Sequence, residues 1–376
     1  MMIRHYRKIS PLKLFLLAVF SLAVVYLVSH ANTMNQWYAF KIEAARKAKA
    51  AQEGIREEKL KRGLSINDSD DPNASGLIGL KDSAITTDKG FLDMKIMATN
   101  PNLAAVIVQM MREAKIRPGD TVAVGYTGSF PGANIAVLSA IEAVGLNAVI
   151  ISSVGSSNWG ANEPEFTWLD MERFLFGKGI FKHRSVAASL GGKQDIAEGL
   201  SEEARGLMAA AVRRSDVELI DELSLPANVY KRLQIYDANT QKKGKRIKMY
   251  INVGGGSANL GSGINYMRVP SGLTTRLSSE RIGGNGVLFK MADKGIPVIH
   301  ILKMRELTYQ YGLPIRPVRP VVGEGRVFVE ARYNSSVALI GLGVLLFVLA
   351  ATLSVDFVSF SKRKAITHEG SSYVVR

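Results

Sequence analysis

Three glycine-rich stretches hold the residues best suited to chemistry: "GYTGSFPGAN" (Gly125 to Asn134), "GSSNWGANE" (Gly155 to Glu163) and "GGGSANLGSG" (Gly254 to Gly263). Glycine lets backbone N–H groups approach a ligand closely, and a helix starting after such a loop favours an anion at its N-terminus. Gly128, Ser129, Gly132 and Asn134 in the first loop, Asn158 in the second, and Gly254, Gly255, Gly256, Ser257 and Asn259 in the third are therefore candidates for holding a carboxylate or phosphate. No loop ends in Gly-Lys-Ser/Thr, and none fits the Gly-x-Gly-x-x-Gly dinucleotide pattern in its βαβ setting, so a nucleotide is not expected. Glycines that only make tight turns are the competing explanation. Three such loops at one sheet edge weigh against it.

Ser129 is the serine best placed for nucleophilic attack, after a strand and before a helix. Thr127 and Pro131 stand where a Gly-x-Ser-x-Gly elbow needs glycine, which makes it a weak catalytic candidate. From Asn32 to the second apolar run the chain has only two histidines, His183 and His300. His300 falls inside a strand pattern and reads as a core residue, and nothing favours a Ser-His-Asp triad. The chain has no cysteine, which excludes disulfides, thiol nucleophiles and Cys-ligated zinc; neither a metal nor a cofactor is expected. Glu163, Glu165, Asp170 and Glu172 follow the second loop and read as helix-start acids. Trp159 and Trp168 lie among them and suit either a pocket wall or the core. Lys242, Lys243, Lys245, Arg246 and Lys248 form a basic run that suits an acidic polymer or lipid headgroups, with a solvated turn as the alternative.

These loops need strands that end at them and helices that begin after them. Thr121 to Gly125 and Asn147 to Val154 read as strands, and Gly132 to Val144 as a helix closed by Gly145. Asn100 and Pro101 open a helix, Ser201 to Ser215 is helical, Ser224 caps another helix, and a further one follows Gly284. Val217 to Ile220, Met249 to Val253 and Ile296 to Leu302 supply further strand material. The strands are nearly continuous in Val, Ile and Ala, which implies burial on both faces as in a parallel sheet. The expected fold is α/β, an open and mostly parallel sheet with helices on both faces.

Two apolar runs flank this region. Leu14 to Val28 is about the length of a signal-peptide core and slightly short for a span, whereas Val337 to Val355 carries no charge and is long enough to cross a bilayer. Both are read as transmembrane helices, one N-terminal and one C-terminal. Arg4, Arg7, Lys8 and Lys13 precede the first run, and Lys362, Arg363 and Lys364 follow the second. Both termini are therefore expected in the cytoplasm, with the main domain outside the inner membrane. Lys41, Arg46, Lys47 and Lys49 oppose this orientation from farther out. The expected organisation is a basic tail and anchor over 1–31, a juxtamembrane stalk helix and polar linker over 32–78, an extracytoplasmic α/β domain over 79–334, and a second span with basic tail over 335–376. Net charge is +15, most of it between the two runs, which suits an acidic partner there. Nucleic acid is not expected on that side of a membrane.

With a basic N-terminus, two apolar runs and an α/β region carrying "GYTGSFPGAN", "SSNWGANEPEFTWLDME" and "INVGGGSANLG", the chain resembles the bacterial poly-γ-glutamate system proteins over most of its length. The resemblance implies a membrane-anchored accessory protein of poly-γ-glutamate capsule biosynthesis or export, with the acidic polymer, the synthase subunits and the membrane as partners. It assigns no catalytic residues. Two alternatives remain at this stage. One is a membrane-anchored hydrolase or transferase acting on the polymer through Ser129. The other is a scaffold for the synthase, docked through Gly341 and Gly343.

Overall fold

Alternate residues of the central strands face opposite ways, and here both sets are apolar. Val122, Val124 and Tyr126 of one strand belong to a different buried cluster from its Ala123, and Met249, Ile251 and Val253 of another are separated in the same way from its Tyr250. Such strands need helices on both sides. The computed structural model describes residues 10–30, 36–241, 244–261, 265–277, 282–315, 318–329 and 338–350. They fall into two units, Gln36–Val329 and the pair of flanking segments, Met1–Asn35 with Glu330–Arg376.

In the larger unit the strands are β1 (Thr86–Asp88), β2 (Thr121–Thr127), β3 (Asn147–Ser153), β4 (Ser156–Ser157), β5 (Ser185–Ser189), β6 (Glu218–Ile220), β7 (Ile247–Val253), β8 (Gly272–Thr274) and β9 (Val298–Ile301). Seven form one sheet in the order β6-β5-β3-β2-β7-β9-β8, parallel throughout except for β8, while β1 and β4 pair separately. The helices, counting from α1 (Pro11–His30) in the flanking unit, are α2 (Gln36–Lys61), α3 (Leu92–Ala98), α4 (Leu103–Glu113), α5 (Pro131–Val144), α6 (Trp168–Gly177), α7 (Glu202–Arg214), α8 (Leu225–Gln241), α9 (Ser257–Leu260), α10 (Asn265–Arg268), α11 (Val287–Asp293) and α12 (Met304–Tyr311). The expected α/β class with a mostly parallel sheet is what the chain forms. Several expected boundaries also hold: Gly145 ends α5 at φ 74°, and Ser201 caps α7 by accepting from the Ala204 N–H at 3.1 Å.

From Gln36 onward the expected stalk and linker are instead part of the folded unit. Ala44, Ala48, Ala51 and Ile55 of α2 are fully buried, a stripe at three- and four-residue spacing that lies against α4 and α5. Alanine at these positions lets the backbones approach closely. The two lysines that extend the stripe are buried as well. Lys41 Nζ donates to the Val327 carbonyl at 2.8 Å, and Lys59 pairs with Glu163 at 2.9 Å. The polar stretch Ser65 to Gly76 is a packed loop and not a linker: Asp71 is buried and accepts from Ser75 Oγ at 2.9 Å and from the Gly76 N–H at 2.7 Å.

Among the described residues no helix is long and apolar enough to cross a membrane. The second apolar run is helical over residues 338–350, and its remainder lies outside the described residues. Within the flanking unit, Leu17, Ser21 and Val24 form the half-buried face of α1, and Ala338, Gly341 and Leu345 that of the second helix. Gly341 is where the two meet, since a β-carbon there would stand 2.5 Å from Val24 Cγ1.

Candidate functional site

Strand order reverses between β2 and β7. From β2 the chain steps through β3, β5 and β6 on one side; β7 and β9 lie on the other. In open parallel sheets the crevice at the carboxyl ends of the strands flanking such a reversal is where ligands sit. The loops after β2 and β7 are the first and third glycine-rich stretches, and the second follows β3. All three are therefore at this edge.

Much of the glycine content serves the packing of loop on loop. The Gly128 N–H donates to the Ser153 and Gly155 carbonyls, both at 3.1 Å, and a β-carbon on Gly128 would stand 2.6 Å from the Val154 carbonyl oxygen. Gly254, at φ +92°, lies directly against the Thr127 hydroxyl. The loop after β5 joins them: Gly155 N–H donates to the Leu190 carbonyl at 2.8 Å, and Ser257 Oγ to the Gly192 carbonyl at 3.0 Å.

The ten loop residues expected to bind an anion separate accordingly. Gly128, Gly132, Asn134, Gly254 and Asn259 are buried. Asn134 Nδ2 donates to the Thr127 carbonyl at 3.0 Å, and Asn259 Oδ1 accepts from Tyr250 OH at 3.0 Å. Gly255 is exposed, and Ser129, Asn158, Gly256 and Ser257 are half-buried. These five reach the surface, with the Asn158 amide tied to Gly90 and Lys81 and the Ser257 hydroxyl to Gly192. The basic run does not join them. Lys242 and Lys243 lie outside the described residues, while Lys245 and Arg246 are exposed just before β7, at the amino edge of the sheet. The seven residues of β7 put roughly 20 Å between the two edges.

Among the described residues no histidine reaches Ser129. His183 Nδ1 contacts Glu142 at 2.7 Å near the end of α5, away from the carboxyl edge, and His300 Nδ1 takes Asn252 Nδ2 at 2.8 Å. Burial pushes the His300 imidazole down to about 3, so it stays neutral. Three of the four acids after the second loop are also engaged, whereas Glu165 is exposed. Besides Glu163 with Lys59, Asp170 is bound by Arg214 Nε at 2.7 Å, and Glu172 accepts from the Ser185 N–H at 2.8 Å. Trp168 is buried, edge-on to Tyr126 with ring centres 5.6 Å apart, which makes it a core residue.

Two buried cations at this edge had no place among the sequence candidates. Lys95, on α3, is only 3% exposed. Its Nζ donates to the Ser129 carbonyl and, at 2.7 Å, to Ser157 Oγ, and stands 3.9 Å from the centre of the Phe130 ring. The Ser157 N–H in turn donates to Ser129 Oγ at 3.0 Å. Among the described residues no carboxylate forms an ion pair with Lys95. Burial pushes its pKa from 10.5 down to about 7, with Asp88 opposing. Arg232, on α8, is fully buried beside Asp195, which is also fully buried. Its Nη2 reaches Ser189 Oγ at 2.6 Å, Ser153 Oγ at 2.9 Å and Asp195 Oδ2 at 3.1 Å. Lys95 sits in "FLDMKIMATN", a lone cation in an apolar turn, and that placement is the signal by which it could have been found. Ser157 is in the second loop but was passed over for Asn158. Nothing local in the sequence pairs Arg232 with Asp195.

No protein-family model, curated protein or solved structure matches this chain. What the site does therefore rests on its own geometry and on the resemblance in loop sequences described above.

Proposed function

We propose that this is a membrane-anchored accessory protein of poly-γ-glutamate biosynthesis or export, whose α/β unit binds the acidic polymer outside the inner membrane. The observation that carries the binding reading is the reversal between β2 and β7, where the open ends of glycine-rich loops present Ser129, Asn158, Gly255, Gly256 and Ser257 at one edge. Glu163 within these loops and Asp195 beside them are each already matched to a buried cation, while Asp88 on β1 is exposed beside the second loop. Loop N–H groups and the Ser129 hydroxyl suit a carboxylate there, and Glu163, the one acid within the loops, is paired.

The membrane setting is supported by the outward faces of the flanking helices. Leu14, Phe15, Leu16, Leu22 and Val25 on α1, and Leu339, Ile340 and Phe347 on its neighbour, each leave more than half of their surface exposed. Exposed apolar surface this continuous is costly in water and favourable in hydrocarbon. Basic residues beyond both runs support cytoplasmic termini. With Gly341 used against Val24, the synthase-scaffold alternative loses one of the two glycines it relied on.

The test is a titration of the full chain, in detergent micelles, with poly-γ-glutamate at low and high salt. Binding should weaken as salt rises. Gly255→Asp places a carboxylate in open space at the loop tip and should weaken binding about tenfold or more, whereas Lys245→Ser with Arg246→Ser should leave it nearly unchanged. The opposite pattern would move the site to the amino edge. No binding at either salt concentration would end the polymer reading.

A further inference from the structure

We propose that Ser157 and Lys95 form an acyl-transfer centre, with Ser157 Oγ as nucleophile and Lys95 Nζ as its base, acting on an amide or ester carbonyl brought to the carboxyl edge of the sheet.

Lys59 shows how a buried lysine can be given a counter-ion in this fold. Lys59 is 1% exposed and meets the Glu163 carboxylate at 2.9 Å. A buried charge without a counter-ion is expensive, and among the described residues Lys95 has none: its partners are a backbone carbonyl, a hydroxyl and an aromatic face. Such surroundings hold a neutral amine as well as a charged one. The neutral amine has a lone pair, and the hydroxyl 2.7 Å away is the proton it would accept. That is the contact a serine–lysine pair needs, with lysine in the role histidine takes in a triad. The pKa of about 7 leaves a large neutral fraction at neutral pH.

The nucleophile is fixed, and a small part of it reaches the surface. Ser157 is 8% exposed, with half-buried Ser129 and Asn158 beside it and the exposed Phe91 at the start of α3. Its N–H is tied to Ser129 Oγ, and Gly90 packs against its hydroxyl, where a β-carbon would stand 3.0 Å from Oγ. Ser129 is thus a positioning residue, which reverses the roles the sequence suggested. The charged groups near Lys95 are Asp88 on β1 and the exposed ion pair of Asp93 with Arg305, from α3 and α12; the loops bearing Phe130 and Ser157 bring no charge to it.

The chemistry balances with water as the only co-reactant. Ser157 Oγ bonds to the carbonyl carbon as its proton passes to neutral Lys95. The carbon–nitrogen or carbon–oxygen bond then breaks, and Lys95 returns that proton to the leaving amine or alcohol, leaving an ester on Ser157. Water, deprotonated by Lys95, attacks the ester, releases the carboxylic acid and restores both residues. Only the choice of a γ-glutamyl amide as substrate would rest on the polymer reading.

The experiment treats the full chain in detergent with a fluorophosphonate probe, which modifies activated serines, and maps the modified residue by mass spectrometry. Modification should fall on Ser157, be lost in Ser157→Ala, and speed up as pH rises through about 7. Lys95→Met should slow it by about 100-fold or more. Lys95→Arg keeps a cation in place but cannot accept a proton, and should slow it comparably; melting temperatures of both variants check folding. Absence of any modified serine from about pH 6 to about pH 9, labelling that ignores Lys95→Arg, or labelling confined to Ser129 would each overturn the proposal. The probe contains no polymer, so failure of polymer binding and failure of labelling are separate results.

Discussion

Lys95 and Arg232 are both buried cations at the carboxyl edge of one sheet, and they are handled in opposite ways. Arg232 meets a fully buried carboxylate and two serine hydroxyls, and joins α8 to the ends of β3 and β5. Among the described residues Lys95 bonds only to neutral groups. A guanidinium keeps its charge in any protein environment and so must be given a counter-ion, whereas an amine can shed its proton. The difference separates a structural clamp from a group poised to exchange a proton.

The sharpest way to break this contrast is to remove each cation in turn and measure denaturant midpoints. Arg232→Met leaves Asp195 buried and unpaired and should cost about 3–5 kcal/mol. If Lys95→Met at neutral pH costs as much, both lysine and arginine are structural.

A second test uses pH. The unfolded chain holds the Lys95 proton up to its ordinary value of 10.5, while the folded chain releases it near 7. More protons are then bound by the unfolded state between those values, so stability rises with pH across that window, by at most about 5 kcal/mol. Glu172 does the reverse. Burial raises its carboxyl from 4.5 to about 7, so the folded state binds the extra proton, and stability falls as pH rises from 4.5 towards 7. Together these two groups place a stability minimum near pH 7. Lys95→Met should flatten the alkaline limb and Glu172→Gln the acidic one; a monotonic profile in the parent protein would count against both burials.

The smallest effect expected is from Ser189→Ala, which removes one hydroxyl from Arg232 and should cost about 1–2 kcal/mol, readable as a shift in melting temperature.

The sheet was legible because its strands are apolar on alternate and intervening positions alike, and because Gly145, Ser201 and Ser224 mark helix ends by local chemistry. The place of α2 was not. Its lysines, arginines and glutamates suggest a solvated helix, and the stripe of Ala44, Ala48 and Ala51 that turns it inward is an apolar face only when the small side chains are counted by spacing. At the carboxyl edge, Gly128 and Gly254 are required by neighbouring backbone and side chain, a packing demand that glycine spacing in a sequence does not distinguish from ligand binding. Contacts such as Lys95 with Ser157, 62 residues apart, or Arg232 with Asp195, 37 apart, come from topology and leave no local trace.

The clasp between Lys41 and the Val327 carbonyl joins positions 286 residues apart in the chain. It brings the beginning and the end of the Gln36–Val329 unit side by side, so the unit is close to a closed ring of chain. Circular permutation is the practical outcome. A short bridge from Val329 to Gln36, with new ends opened at the exposed turn around Gly244, would detach the α/β unit from both flanking helices and leave its carboxyl edge uncut.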